Sequence, residues 1–229
     1  MACFLVPVAE AIVTTIVEKA LKSTEKKAAV KLNPADGTAL EVSKTPFSAK
    51  LGWLNKLLWG GSALLAFEHV WHGEIVPFFP FLTAVKSGET GEMLAEMGSA
   101  GVMMAVIVTA VWVGMLAVSR FAEKKSLKST ADLLGGMQTI VWYKKAPENE
   151  MKVGILCWMY WGASLMWLVD AIFEYIEIGA GLFTPAPVDM LNDLFLGLSV
   201  VALGLVIWLV VLLIKDPKGV VRSALFGKK

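Results

Sequence analysis

Histidine and cysteine are scarce in this chain, with two of each among 229 residues. Cys3 and Cys157 both fall in segments expected on the cytoplasmic side, so no disulfide framework is implied. His69 and His72 stand one turn apart on one expected helix and are the only imidazoles, so they cannot grip one haem from opposite sides within a single chain. No phosphate-binding glycine loop, Cys-x-x-Cys pair or serine-nucleophile motif is present. Positive charge is missing locally too. Across residues 68–96 and 170–193 Lys86 is the lone base, although the chain holds 21 lysines and arginines.

Those two stretches are rich in acid instead. They contain ten of the twenty carboxylates: Glu68, Glu74, Glu89, Glu92, Glu96, Asp170, Glu174, Glu177, Asp189 and Asp193. Each lies between long apolar segments, in a chain that is 56% apolar with a mean hydropathy of +0.64. That composition is too oily for an ordinary soluble domain. Four windows reach the ~20 residues needed to cross a bilayer, roughly 51–76, 92–120, 153–178 and 190–214.

The expected fold is therefore an all-α integral membrane protein with four transmembrane helices and an N-terminal interfacial amphipathic helix running to about Lys22. No cleavable signal peptide is expected, because no basic region precedes residues 4–17 and Glu10 interrupts them. The organisation reads as an N-terminal helix and linker over 1–49, a first hairpin over 50–120 and a connector over 121–151. A second hairpin over 152–214 and a basic tail over 215–229 complete it. Residues 131–143 are apolar enough to lie on the inner surface as a short helix. Bases fall mainly in 1–56, 120–152 and 215–229, which places both termini and the connector in the cytoplasm of a cell (inner) membrane and the acidic loops outside.

The two hairpins resemble each other. Shifted by 102 residues, Lys50, Gly52, Leu54, Trp59, Gly60 and Ser62 meet Lys152, Gly154, Leu156, Trp161, Gly162 and Ser164. Glu68 then meets Asp170. Shifted by 97, Glu92-Met-Leu-Ala-Glu96 meets Asp189-Met-Leu-Asn-Asp193. The pattern predicts a tandem duplication of a two-helix unit about an axis along the membrane normal.

Each span carries two polar residues four apart: Glu68/His72, Glu92/Glu96, Asp170/Glu174 and Asp189/Asp193. That spacing puts both members of a pair on one helix face. At ~1.5 Å per residue, Glu68 and Asp170 lie about 27 Å beyond Lys50 and Lys152, near the outer edge of the hydrocarbon. Carboxylates there and at helix C-termini need a compensating charge. Glu92, Glu96, Asp189 and Asp193 open their helices, where the dipole alone favours an acid.

Crowded carboxylates coexist only with protons or a cation, so the predicted site is a metal centre. Its ligands would come from Glu68, His69, His72, Glu92, Glu96, Asp170, Glu174, Glu177, Asp189 and Asp193. Mixed carboxylate and imidazole donors suit a divalent Zn, Mn or Fe ion better than Ca or Mg. The di-iron Glu-x-x-His spacing is absent, since Ala66 stands three before His69. Such a centre would support cation transport, sensing or a small redox step. Competing expectations are an accessory subunit of a larger membrane complex and a proton- or cation-coupled transporter of a small amine. The lipid bilayer, a homo-oligomer or a larger membrane complex are the expected partners, and no nucleic acid. Eleven Met and nine Trp read as packing and interfacial anchors.

Overall fold

The computed structural model describes residues 2–31, 46–125 and 153–214. The expected inner-surface helix at 131–143 and the basic tail lie outside the described residues. The described residues are mainly helical and form no strand: α1 Leu5–Lys31, α2 Phe47–Trp71, a short α3 Thr83–Ser87 and α4 Thr90–Glu96. A π-turn over Met97–Gly101 carries α4 directly into α5 Val102–Lys125. Then come α6 Val153–Ile178, a 3-10 turn over Gly179–Phe183 and α7 Pro187–Ile214. The helix ends follow local chemistry. Gly73 (φ 72) and Gly179 (φ 66) take the left-handed conformation just past α2 and α6, where other residues are strained. Pro187 opens α7 with Asp189 in its first turn.

Three helical stretches are long and apolar enough to cross a membrane: Thr90–Arg120, Val153–Phe183 and Pro187–Ile214. They match the expected second, third and fourth windows. The expected first span, α2, is the right length but less apolar, and its position explains why. It is the central helix, packed against α1, α5, α6 and α7. Its Leu54, Leu57, Leu58, Leu64 and Leu65 are at most 2% exposed. By contrast α7 shows Leu194, Leu198, Val201 and Leu205 to its surroundings. An outer face this apolar suits lipid as solvent.

The α2–α6 crossing depends on small residues. A Cβ added to Gly162 would stand 2.2 Å from the Leu57 carbonyl oxygen, and one added to Gly61 would stand 2.6 Å from the Gly162 carbonyl carbon. Near-contact of two backbones is the usual mode of helix association in lipid. The contacts are reciprocal under the 102-residue offset. Gly60 faces Met159, the counterpart of Leu57, and Gly162, the counterpart of Gly60, faces Leu57.

The N-terminal helix departs from expectation. Rather than lying along an interface, α1 runs antiparallel beside α2 over its whole length. Cys3 Sγ meets His69 Nε2 at 3.3 Å, the Thr14 hydroxyl meets Asn55 Oδ1 at 2.5 Å, and Glu25 accepts from the Ser48 amide at 3.3 Å. Residues 2–4 therefore share an end of the bundle with the acidic loops, and the expectation that the N-terminus and those loops sit on opposite faces is corrected. All eight bases within 1–56 lie at or beyond Lys19. The charge rule thus located the far end of α1 and said nothing about its start.

Candidate cation-binding cavity

At the end of the bundle where α2 and α6 finish, the helices splay around an open cavity of about 830 Å3. Glu68 and His69 reach it from the last turns of α2, and Asp170, Glu174 and Glu177 from α6. Glu96 comes from the end of α4, Asp193 from α7, and His72 and Glu74 from the turn after α2. Seven carboxylates thus line the cavity, and no lysine or arginine among the described residues does.

Of the ten residues expected at the site, eight line this cavity: Glu68, His69, His72, Glu96, Asp170, Glu174, Glu177 and Asp193. Glu92 and Asp189 do not. Both are exposed in the opening turns of their helices, one turn nearer solvent than their cavity-lining partners Glu96 and Asp193. That is the position where an acid is stabilised by the helix dipole with no ligand at all.

The lining is graded. His72, Glu174, Glu177 and Asp193 are exposed at the rim, whereas Glu68, Glu74, Glu96 and Asp170 are partly buried and His69 is buried. The Trp167 indole N–H donates to Glu68 Oε2 across the α2–α6 interface. This gives one oxygen of the deepest carboxylate a fixed partner and leaves the other directed by the cavity's contents.

His69 is already engaged on both ring nitrogens. Nδ1 lies 2.8 Å from the Leu65 carbonyl, which can only accept, so Nδ1 carries the proton. Nε2 of the neutral ring is then an acceptor for the Cys3 thiol at 3.3 Å, with the Glu74 carboxylate 3.8 Å away. The Phe4 ring packs edge-on against the imidazole, with centroids 5.0 Å apart. Burial, followed by the charge of Asp170, pushes the Cys3 thiol up to about 12, so the sulfur stays protonated and donates.

Among the described residues, no three histidine, cysteine, aspartate or glutamate side chains converge closely enough to hold a metal ion. The expected donor set is therefore gathered around one space without forming a ligand shell. As it stands, the arrangement can attract and orient a positively charged body larger than a bare ion, through several carboxylates at a distance.

Cys3, Trp167 and Ser99 also line the cavity and were not expected there. Cys3 was assigned to the opposite face with the bases of α1. Trp167 carries no spacing signal, its counterpart under the 102-residue offset being Leu65. Ser99 belongs to the π-turn, within a Gly98-Ser99-Ala100-Gly101 run whose small side chains permit the wider helical turn.

Compared with known proteins, the chain matches no family model, no curated protein and no solved structure.

Proposed function

We propose that this is an integral membrane protein in which α1 and α2 cross the bilayer together with α4–α5, α6 and α7, and that its acidic cavity binds a cationic solute. The ligand class is a small organic ammonium ion, and the activity is uptake or passage of that solute across the membrane. The observation that carries this reading is the cavity itself: among the described residues, seven carboxylates and no lysine or arginine line about 830 Å3. That space exceeds what a stripped metal ion needs and suits a small organic ligand. Trp167 and Phe173 add aromatic walls, which favour ammonium groups.

Two further elements belong to the same reading. The hairpins are a tandem duplication, supported by the reciprocal contacts at Gly60 and Gly162, and the pseudo-twofold axis passes between α2 and α6. The cavity faces outward, away from Lys50, Lys56 and Arg120, which lie toward the other ends of α2 and α5.

The test is equilibrium binding of labelled 1,4-diaminobutane to the purified protein in detergent, beside Mn2+ and Zn2+, with wild type and a Glu68→Gln/Asp170→Asn variant. Diamine binding that weakens about tenfold or more in the variant is expected, each lost charge-assisted contact contributing roughly 1.4 kcal/mol. Stoichiometric Mn2+ or Zn2+ with no diamine binding would overturn this reading in favour of a metal centre.

A further inference from the structure

Phe79, between α2 and α3, is 89% exposed, more than any other large apolar side chain among the described residues. Phe78 and Phe81 beside it are 75% and 60% exposed. Residues 75–85 carry no charge at all, and Glu74 and Lys86 bound them. Three rings presented together on such a segment mark a surface that meets something apolar.

The segment is held in shape by its own backbone. The Val76 amide donates to the Phe81 carbonyl at 2.9 Å, and Ile75 pairs with Leu82 as an antiparallel bridge. At its foot the Glu74 carbonyl accepts from both the amide and the hydroxyl of Thr83, at 3.0 and 3.1 Å. Pro77 and Pro80 stiffen the tip between these ties. Neighbouring residues of an extended chain point to opposite sides. Accordingly Phe81 is exposed while Leu82 packs inward, against the buried cluster of Ala2, Ala84 and Met93.

That inward side fixes where the rings lie. Met93 belongs to α4, which opens the membrane-length stretch Thr90–Arg120. Leu94, Val102 and Val106 of the same stretch are exposed. The segment therefore leaves α2 where that helix ends and packs where an apolar span begins, which is the depth of a bilayer boundary. A second copy of the chain is a poor occupant, because it would bring seven more cavity carboxylates toward the same acidic end. Those carboxylates offer lipid phosphates no attraction either, so a grip on the membrane at this end has to be apolar. Lys86, the lone base of residues 68–96, is exposed at the foot of the segment and can reach a phosphate.

We propose that residues 75–82 are an interfacial anchor, with Phe78, Phe79 and Phe81 inserted between lipid headgroups and upper acyl chains at the cavity end. Glu74 ties the anchor to the site, since it lines the cavity and its carbonyl holds Thr83. The anchor thereby keeps the cavity mouth at headgroup level. This rests on the membrane-crossing part of the function proposed above and is independent of what the cavity binds.

The test is photocrosslinking of the full-length protein in phosphatidylethanolamine/phosphatidylglycerol vesicles. Benzoylphenylalanine replaces Phe79, Phe78 or, as a reference on the apolar face of α7, Leu198. None of the three belongs to a buried cluster, so folding does not depend on them. After illumination, mass spectrometry is expected to find lipid adducts at positions 78 and 79 in yields comparable with position 198. Lipid adducts at 198 with yields at 78 and 79 an order of magnitude lower would overturn the anchor and leave the membrane reading standing. Adducts to a second copy of the chain in place of lipid at 79 would overturn it too. No lipid adduct at any of the three would overturn both.

Discussion

α2 is held on two sides by opposite means. Toward α1 the seam is polar, with Thr14, Glu18 and Glu25 hydrogen-bonded to Asn55 and Ser48, and the Trp59 indole donating to Thr15 at 3.0 Å. Toward α6 the crossing is made of glycines and methionine, where backbones approach until no Cβ fits. In lipid the apolar tails offer leucine no reason to prefer protein, so helices associate through close van der Waals packing or interhelical hydrogen bonds. Here one helix uses both. The polar seam tolerates charge because it lies inside the bundle, while the glycine crossing fixes α2 and α6 closely enough to set Glu68 and Trp167 against each other at the cavity.

The sharpest test of the polar seam is thiol reactivity. With its pKa near 12, Cys3 should react with a maleimide at pH 8 about a thousandfold more slowly than an exposed thiol. Its labelling should accelerate as pH rises toward 12, because only the thiolate reacts. A Cys157→Ser protein followed by mass spectrometry reports Cys3 alone, and rapid labelling at pH 8 would break the seam. Next is the glycine crossing. Gly162→Leu must push α6 off Leu57, and destabilisation by about 3 kcal/mol is expected from overpacking. Unfolding in detergent measures it.

Asn55→Leu strikes the polar seam instead. It removes partners of Thr14 and Glu18 together and should cost about 1–2 kcal/mol in the same assay. If it costs more than Gly162→Leu, the ranking of the two seams is reversed. Smaller still is Gly204→Ala in α7. Its new methyl would lie 2.5 Å from the Tyr160 hydroxyl, which can swing away by giving up its 2.8 Å bond to the Val201 carbonyl. The expected loss is about 0.5–1 kcal/mol. Gly197→Ala meets nothing within 4 Å and should be neutral or stabilise α7 by up to about 1 kcal/mol, which makes it the control.

Much of the site was legible from residue spacing. Glu68, His72, Asp170 and Glu174 announced themselves because acids and imidazoles at the ends of apolar helices are rare and four-residue spacing shares a face. Glu92 and Asp189 misled because a helix N-terminus favours an acid with or without a site. The seven-residue interval of the buried polar residues Ser48, Asn55, Ser62 and His69 along α2 was equally present in the sequence, yet it reads as ordinary polarity until a second helix is known to lie on it. Cys3 could not have been placed by counting bases, since none precedes Lys19.

The sequence by itself determined that this chain is helical and that its acids gather beyond one end of its apolar stretches; it offered four such stretches as spans, of which three helices are long and apolar enough to cross a membrane. Those properties follow from composition and period, which act within a single helix. Tertiary structure alone decided that α1 packs along α2, that Cys3 meets the histidine, and that among the described residues the carboxylates surround a cavity without closing on an ion. Each of these depends on the register between helices, and register is set by where backbones can approach and which buried polar atoms find partners.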